Sequence, residues 1–422
     1  LADLRTAILS RTFVGIGFGP IQSGLFLYEA FRSGNFDRLV VAEVASDVVH
    51  AVRQAGGKYT INIALPDRIV AETVDGLEIY NPNDLADQAQ LVAAIAESQE
   101  IATALPAVEF YDRGDPSPAE LLATGLMYKQ QTSNPQGTLI YAAENHLLAA
   151  EILHNTVRVH IAPNSYGWFD GGVQFVNTVI GKMSGVVDDA HEIKSASLQP
   201  LLEGDTRAVL VEEFNHILIE RVHLPDFERG LDVFEEKSLL TPFEEAKLYG
   251  HNAAHALMGY LAHQRGYELM SEVRDTELME LVERAFIDES GTALCRRHEG
   301  IDPLFTEAGW RAYALDLLER MTNPHLRDKV SRIVRDPKRK LGWNDRLIGT
   351  LRLAIAQGMQ PQLYAQGAAA ALAMLMEDRT DANSQELLEG CWRYDETPPK
   401  ERDAMLALVM EAYEELAFNT RQ

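Results

Sequence analysis

Cysteine is nearly absent from this chain. Cys295 and Cys391 are the only two, and they lie far apart in sequence. A disulfide framework and a Cys-rich zinc site are thereby excluded, and two reduced, mostly buried thiols are expected. Long apolar runs are missing as well. No stretch of about 18 apolar residues occurs, so no membrane-spanning helix is expected. The opening residues, "LADLRTAILSRTFVGIG", lack an apolar core followed by a small-residue cleavage site, which points to a cytoplasmic chain. Positive charge is scarce: 38 Lys and Arg stand against 63 Asp and Glu, a formal net charge of -25. A field of that sign repels nucleic acid and anionic membranes, so neither is expected as a partner. An anionic ligand would need its own local cluster of cations.

What remains is an ordinary globular composition, 46% hydrophobic over 422 residues, long enough for two or three domains. Its first part reads as strand, glycine turn, helix, strand: "RTFVGIG", "GFGPIQSG", "LFLYEAFRSG" stopping at Gly34, then "RLVVAEV". Further apolar runs occur in "YTINIAL", "EIATALPA", "GTLIYAAEN", "VRVHIAP" and "AVLVEEF". Strands alternating with helices predict a parallel sheet with right-handed crossovers. After about residue 235 the texture changes to helical period with almost no strand signal, as in "GWRAYALDLLERM" and "RDAMLALVMEAYEELAF". The expected fold is therefore α/β plus all-α: a Rossmann-type domain over 1–235 and a mainly helical domain over 236–422, with the boundary near "RVHLPDFERG".

In "GIGFGPIQSG", Gly17-x-Gly19 follows a strand and opens a helix. The first glycine permits a sharp turn, the second lets the backbone approach a pyrophosphate, and the helix N-terminus faces the negative charge. Gly17, Gly19, Pro20, Ile21 and Gln22 are the candidate cofactor contacts. Glu43 ends the second strand, 26 residues after Gly17. A carboxylate there accepts hydrogen bonds from a ribose 2′-OH and repels a 2′-phosphate, which favours NAD over NADP. The third glycine of the usual fingerprint would fall at Gln22. A glycine-rich strand-to-helix turn without a nucleotide is the competing reading.

"KLYGHNAAH", from Lys247, gathers a lysine, two histidines and an asparagine. On a regular α-helix, at roughly 100° per residue, His251 falls about 40° from Lys247, Glu244 about 60°, His255 about 80° and Asn252 about 140°. The polar groups share one broad face, and Leu248, Ala253 and Leu257 occupy another. A lysine whose pKa is lowered by burial takes an alcohol proton as hydride leaves the same carbon, while amide and imidazole groups hold the oxygen. The same spacing fits a solvated polar face. His251 and His255 stand at i, i+4, but Asn252 occupies the position where a metalloprotease carries Glu, and "RHEG" (297–300) is an isolated His-Glu pair, so no metal is expected.

Lys247, Asn252 and His255 form K-x4-N-x2-H, which resembles the signature of the polyol-specific long-chain dehydrogenases. "KLYGHNAAHALMGYL" is most similar to their mannitol-1-phosphate 5-dehydrogenase branch. "GFGPIQSGLF", "YAAENH", "NPHLRDKVSRIVRDPKRKLGWNDRLIG" (323–349) and "GAAAALAML" come in the family's order, so the resemblance covers nearly the whole chain. It implies an NAD-dependent, metal-independent oxidoreductase with Lys247 as general base and Asn252 and His255 on the reacting oxygen. Asn145 is a further candidate for that oxygen or for the nicotinamide ribose, and Glu244 for passing the proton to solvent. Two departures stand out. Gln22 is one. The other is "NTVIGKM", where Asn177 is kept but Gly181 and Lys182 replace the family's Asp-Arg pair, exchanging a bidentate arginine for a point charge.

Asn177, Lys182 and His251 are candidate substrate contacts. Arg335, Lys338, Arg339, Lys340 and Arg346 form a basic cluster that would suit a phosphate; a basic helix end paired with surface acids is the competing reading. The expected substrate is a sugar alcohol, phosphorylated by the resemblance, converted to its ketose by a monomer or small homo-oligomer. A sugar-acid (hexuronate or aldonate) reductase and a catalytically silent nucleotide-binding regulator are the alternatives.

Overall fold

The structure, a computed structural model, describes residues 11–132, 135–214, 216–377, 383–392 and 398–419. The first ten residues, on which the expectation of no leader rests, lie outside them. The chain divides into two compact units, Leu1–Thr241 and Pro242–Gln422. The division falls six residues beyond the position expected from sequence texture, because residues 235–237 still form a strand of the first unit.

Among the described residues twelve strands build the first unit: β1 (Thr12–Ile16), β2 (Arg38–Ala42), β3 (Tyr59–Ala64), β4 (Ile69–Val74), β5 (Leu77–Tyr80), β6 (Glu100–Thr103), β7 (Thr138–Ala142), β8 (Val173–Val179), β9 (Ser184–Val187), β10 (Ala208–Glu212), β11 (Leu218–Glu220) and β12 (Glu235–Lys237). They make an eight-stranded sheet in the order β12-β11-β8-β7-β6-β1-β2-β5 and a four-stranded sheet in the order β4-β3-β10-β9. All pairings of the large sheet are parallel except β11 with β8.

The central strands are buried along their whole length, as a sheet covered on both faces requires, and successive side chains enter different cores. Val14 and Ile16 of β1 meet Leu91, Ile95, Leu122 and Leu153 from the helices Leu85–Glu97, Pro118–Gln130 and Ala149–Val159. Phe13 faces the other way, into a core shared with Leu25, Phe26 and the inward residues Ile61, Ile63, Val209 and Val211 of the small sheet. "YTINIAL" and "AVLVEEF" are thus strands, but of this second sheet rather than the main one. "VRVHIAP" is not a strand: Val157 ends the buried face Ala149, Ala150, Leu153, Val157 of a helix. Its β-branched alternation is outweighed by a 3.6-residue apolar stripe that begins earlier in the chain.

The second unit is helical. At its centre the helix Asn252–Gln264 is buried on nearly every side, from Ala253 to Ala262, as an apolar helix inside a bundle must be. Around it pack Glu277–Arg284, Val330–Ile333 and Gln362–Glu377. Among the described residues no helix is long and apolar enough to cross a membrane.

Candidate functional site

In the first unit the chain runs from β1 to β2 on one side and returns through β6 on the other. The crevice outside the carboxyl ends of these strands is where an open α/β sheet binds ligands. A cavity of about 510 Å³ lies there. Its wall is built from the residues just past each strand end: Gly17, Phe18 and Gly19 after β1, Glu43 and Val44 after β2, and Ala104, Leu105 and Pro106 after β6. Pro20 and Ile21 also line it.

Gly17 makes the sharp turn at φ 87°, in the left-handed region that glycine occupies without steric cost. A Cβ there would stand 3.0 Å from the carbonyl oxygen of Ala104. The Glu43 carboxylate accepts from the Phe18 N–H at 3.0 Å and from the Ala45 N–H at 2.8 Å, which holds the acid at the cavity edge. Of the lining residues only Glu43 and Arg113 carry charge, and the Arg113 guanidinium lies 4.8 Å from the Phe110 ring centre.

Gln22 does not reach this cavity. It is fully buried beneath the turn, and neither atom of its amide has a hydrogen-bond partner. The room that a third glycine normally provides comes instead from Gly15 on β1, where a Cβ would stand 2.2 Å from the Gln22 amide nitrogen. The helix relaxes at the same place into a π-turn, Gln22–Phe26, with Leu27 N–H bonded to the Gln22 carbonyl.

Asn145 is exposed in the turn after β7. Its neighbour Glu144, not singled out from sequence, organises the turn after β6. Its buried carboxylate accepts from Thr103 Oγ1, from the Leu105 N–H, both at 2.9 Å, and from the Tyr111 hydroxyl. Asn177 and Lys182 are committed to the fold. Asn177 Oδ1 accepts from the Ala150 N–H at 2.9 Å, and its amide donates to Glu151 at 2.8 Å. The Lys182 ammonium is buried and donates to the carbonyls of Glu212 and Phe214 at 2.6 and 2.9 Å. The Asn thus caps a helix, and the Lys ties the end of β10 to the loop between β8 and β9.

In the second unit the lysine segment is not a regular α-helix. Residues Ala246–His251 form a π-turn, closed by a bond from the Asn252 N–H to the Lys247 carbonyl. This i→i+5 bond sets Asn252 above Lys247, where the residue four on stands in an α-helix. The 140° separation read from a regular wheel is thereby removed, and His255, three residues beyond Asn252, continues the same stripe.

Burial, and next the charge of Arg346, lower the pKa of Lys247 to about 8, while Glu244 opposes the shift. His251 is buried, and burial, then His255 and nearby cations, push its pKa well below 6.5, so the ring is neutral. His255 Nε2 lies 3.2 Å from Asp328. "RHEG" is an ion-pair site, with Arg297 and His298 both 2.8 Å from Glu245. Among the described residues no group of three His, Cys, Asp or Glu is placed to hold a metal ion.

The basic cluster is dispersed. Lys340 is buried and donates to the carbonyls of Ile333 and Arg335. Arg339 pairs with Asp336 at 2.9 Å and Asp345 at 3.2 Å, and Arg346 shares Asp345 at 2.8 Å. Arg335 and Lys338 are exposed. Lys340 is therefore a structural cation, while Arg346 is the member whose field reaches Lys247.

Residues 239–419 match the sequence model of the mannitol dehydrogenase C-terminal domain. That segment is a mannitol dehydrogenase C-terminal domain. Among the relatives of this chain is the mannitol-1-phosphate 5-dehydrogenase of Streptococcus pneumoniae (strain ATCC 700669 / Spain 23F-1), 27% identical over 343 residues, covering 80% of this chain and 82% of the relative. The enzyme of the same name from Lacticaseibacillus casei (strain BL23) is 27% identical over 350 residues, covering 82% and 83%. The fold is shared with a substrate-free D-sorbitol dehydrogenase at 13% identity, TM-score 0.74, covering 96% of this chain and 94% of the other. It is shared too with Pseudomonas fluorescens mannitol 2-dehydrogenase, solved as a ternary complex with NAD and D-mannitol, at 14% identity and TM-score 0.70, covering 97% and 92%.

Proposed function

We propose that this protein is an NAD-dependent, metal-independent oxidoreductase that interconverts a sugar alcohol, as its phosphate ester, and the corresponding ketose, with Lys247 as the general base. The observation that carries the reading is Lys247 itself, with its pKa lowered to about 8 on a π-turn that aligns it with Asn252 and His255. A π-turn inside a helix is rare and favours functional positions.

The cleft of the first unit fits the cofactor. Gly17 and Gly19 let its backbone approach a pyrophosphate, and Glu43 stands where a ribose 2′-OH would be met and a 2′-phosphate repelled. NAD supplies the hydride acceptor when bound. The chain's own residues do the rest. The free amine of Lys247 takes the hydroxyl proton, Asn252 and His255 hold substrate oxygens, and Glu244 draws the proton onward from the lysine. The relatives' name supports a phosphate on the substrate, and Arg346, with Arg339 beside it, is the candidate to meet it.

The test is NADH oxidation at about 340 nm with ketoses, ketose phosphates and keto-sugar acids, with NADH and NADPH binding measured in parallel. Turnover confined to ketose phosphates, with NADH preferred, is expected. Turnover of keto-sugar acids alone would replace the substrate class, and NADH binding without any turnover would favour a regulator.

A further inference from the structure

Asp328 has none of the roles above, yet it faces a residue that does. Its segment is pinned to residues 268–270: Leu269 and Lys329 form an antiparallel bridge, and the Met270 N–H donates to the Asp328 carbonyl at 2.8 Å. Arg327, just before it, has φ 50°, a left-handed conformation that a side-chain-bearing residue keeps only where its surroundings enforce it. The side chain is 5% exposed, and Arg332 grips its two oxygens at 2.8 Å each. Burial works to raise its pKa, but His255, then Arg332, outweigh it and hold the group at about 2. It is a carboxylate at every working pH.

Oδ2 stands 3.2 Å from His255 Nε2, but obliquely, so that this buried nitrogen has no well-directed hydrogen bond. Such contacts are often misaligned without substrate and tighten when it binds.

We propose that Asp328 is the positioning residue for His255: aligned by Arg332, it keeps a proton on Nε2 and fixes the ring, so that Nδ1 is the edge presented to the ligand. The proposal rests on reading this helix face as the polyol site. The competing role is structural, an ion pair that ties the segment to the helix beneath it.

Two measurements separate these. The first is the tautomer of His255 by 15N NMR in the wild type, with the signal assigned by its loss in His255→Gln. The proton on Nε2 is expected, and a wild-type ring protonated on Nδ1 alone overturns the proposal whatever the enzyme's activity. The second is a double-mutant cycle on kcat/KM with Asp328→Asn and His255→Gln. Asp328→Asn is expected to lose on the order of tenfold, and the double variant no more than His255→Gln alone. Additive losses, with wild-type turnover intact, overturn the proposal and leave the dehydrogenase reading standing. Absence of wild-type turnover overturns that reading instead, and the tautomer then decides on Asp328.

Discussion

The cleft of the first unit is made of backbone turns and apolar side chains, with charge only at Glu43 and Arg113. The polar face of the second unit is made of side chains carried by one helix: Lys247, Asn252 and His255. The first kind of site depends on where the main chain goes, and it falls when a turn is blocked. The second depends on individual functional groups, and it falls when one is removed. Each contains a π-turn, with different consequences. At Gln22–Phe26 the turn accommodates a bulky residue over Gly15, and at Ala246–His251 it changes which side chains share a face.

Removing the base sharpens the contrast most. Lys247→Ala is expected to lower kcat by about 10²–10⁴-fold while leaving NADH affinity within about twofold, as measured by steady-state rates and NADH fluorescence. Equal loss of both would mean that the lysine holds the fold or the cofactor rather than the proton. Acidity should reproduce part of that loss. Lys247 titrates near 8, so the free amine needed for alcohol oxidation grows with pH up to that point. Oxidation at subsaturating substrate should rise about tenfold per pH unit below about 8 and level off above it, whereas ketose reduction, which needs the ammonium, should fall above it. A midpoint near that of free lysine would show that burial does not tune this group.

Blocking the backbone site should give the opposite pattern. Gly17→Ala puts a Cβ 3.0 Å from the Ala104 carbonyl at a positive φ. NADH affinity should drop about tenfold and stability by about 1–3 kcal/mol, seen in binding and thermal melts, with the midpoint of the pH profile unmoved. The smallest effect is expected on the dispersed basic cluster. Arg335→Ala, at an exposed guanidinium, should change the KM for any phosphorylated substrate by less than about twofold. A larger rise would return Arg335 to the substrate site.

The strands of the large sheet were legible where their apolar runs were long, as at β1, β2 and β7. Short or partly exposed strands such as β4, β9 and β12 were not, because their alternation carries little apolar signal. Helical segments of the second unit such as Glu307–Met321 and Pro399–Asn419 were visible from period alone. At the candidate sites, the glycine turn, Glu43 and the lysine segment stood out through residue type and spacing. The fates of Asn177, Lys182 and Lys340 did not, since each is decided by a carbonyl or carboxylate that packing brings to it.

Sequence by itself thus determined the class of each unit, the place of the glycine turn and the chemical inventory of one helix, because periodicity and turn chemistry act over a few residues. Only the tertiary structure decided that Asn252 stacks above Lys247, that Glu144 anchors the turn after β6, and that Asp328 meets His255. A π-turn stands where packing favours it over the regular helix. Contacts such as Thr103 with Glu144 or His255 with Asp328 join residues far apart in the chain, and no local pattern encodes which buried polar group will find which partner.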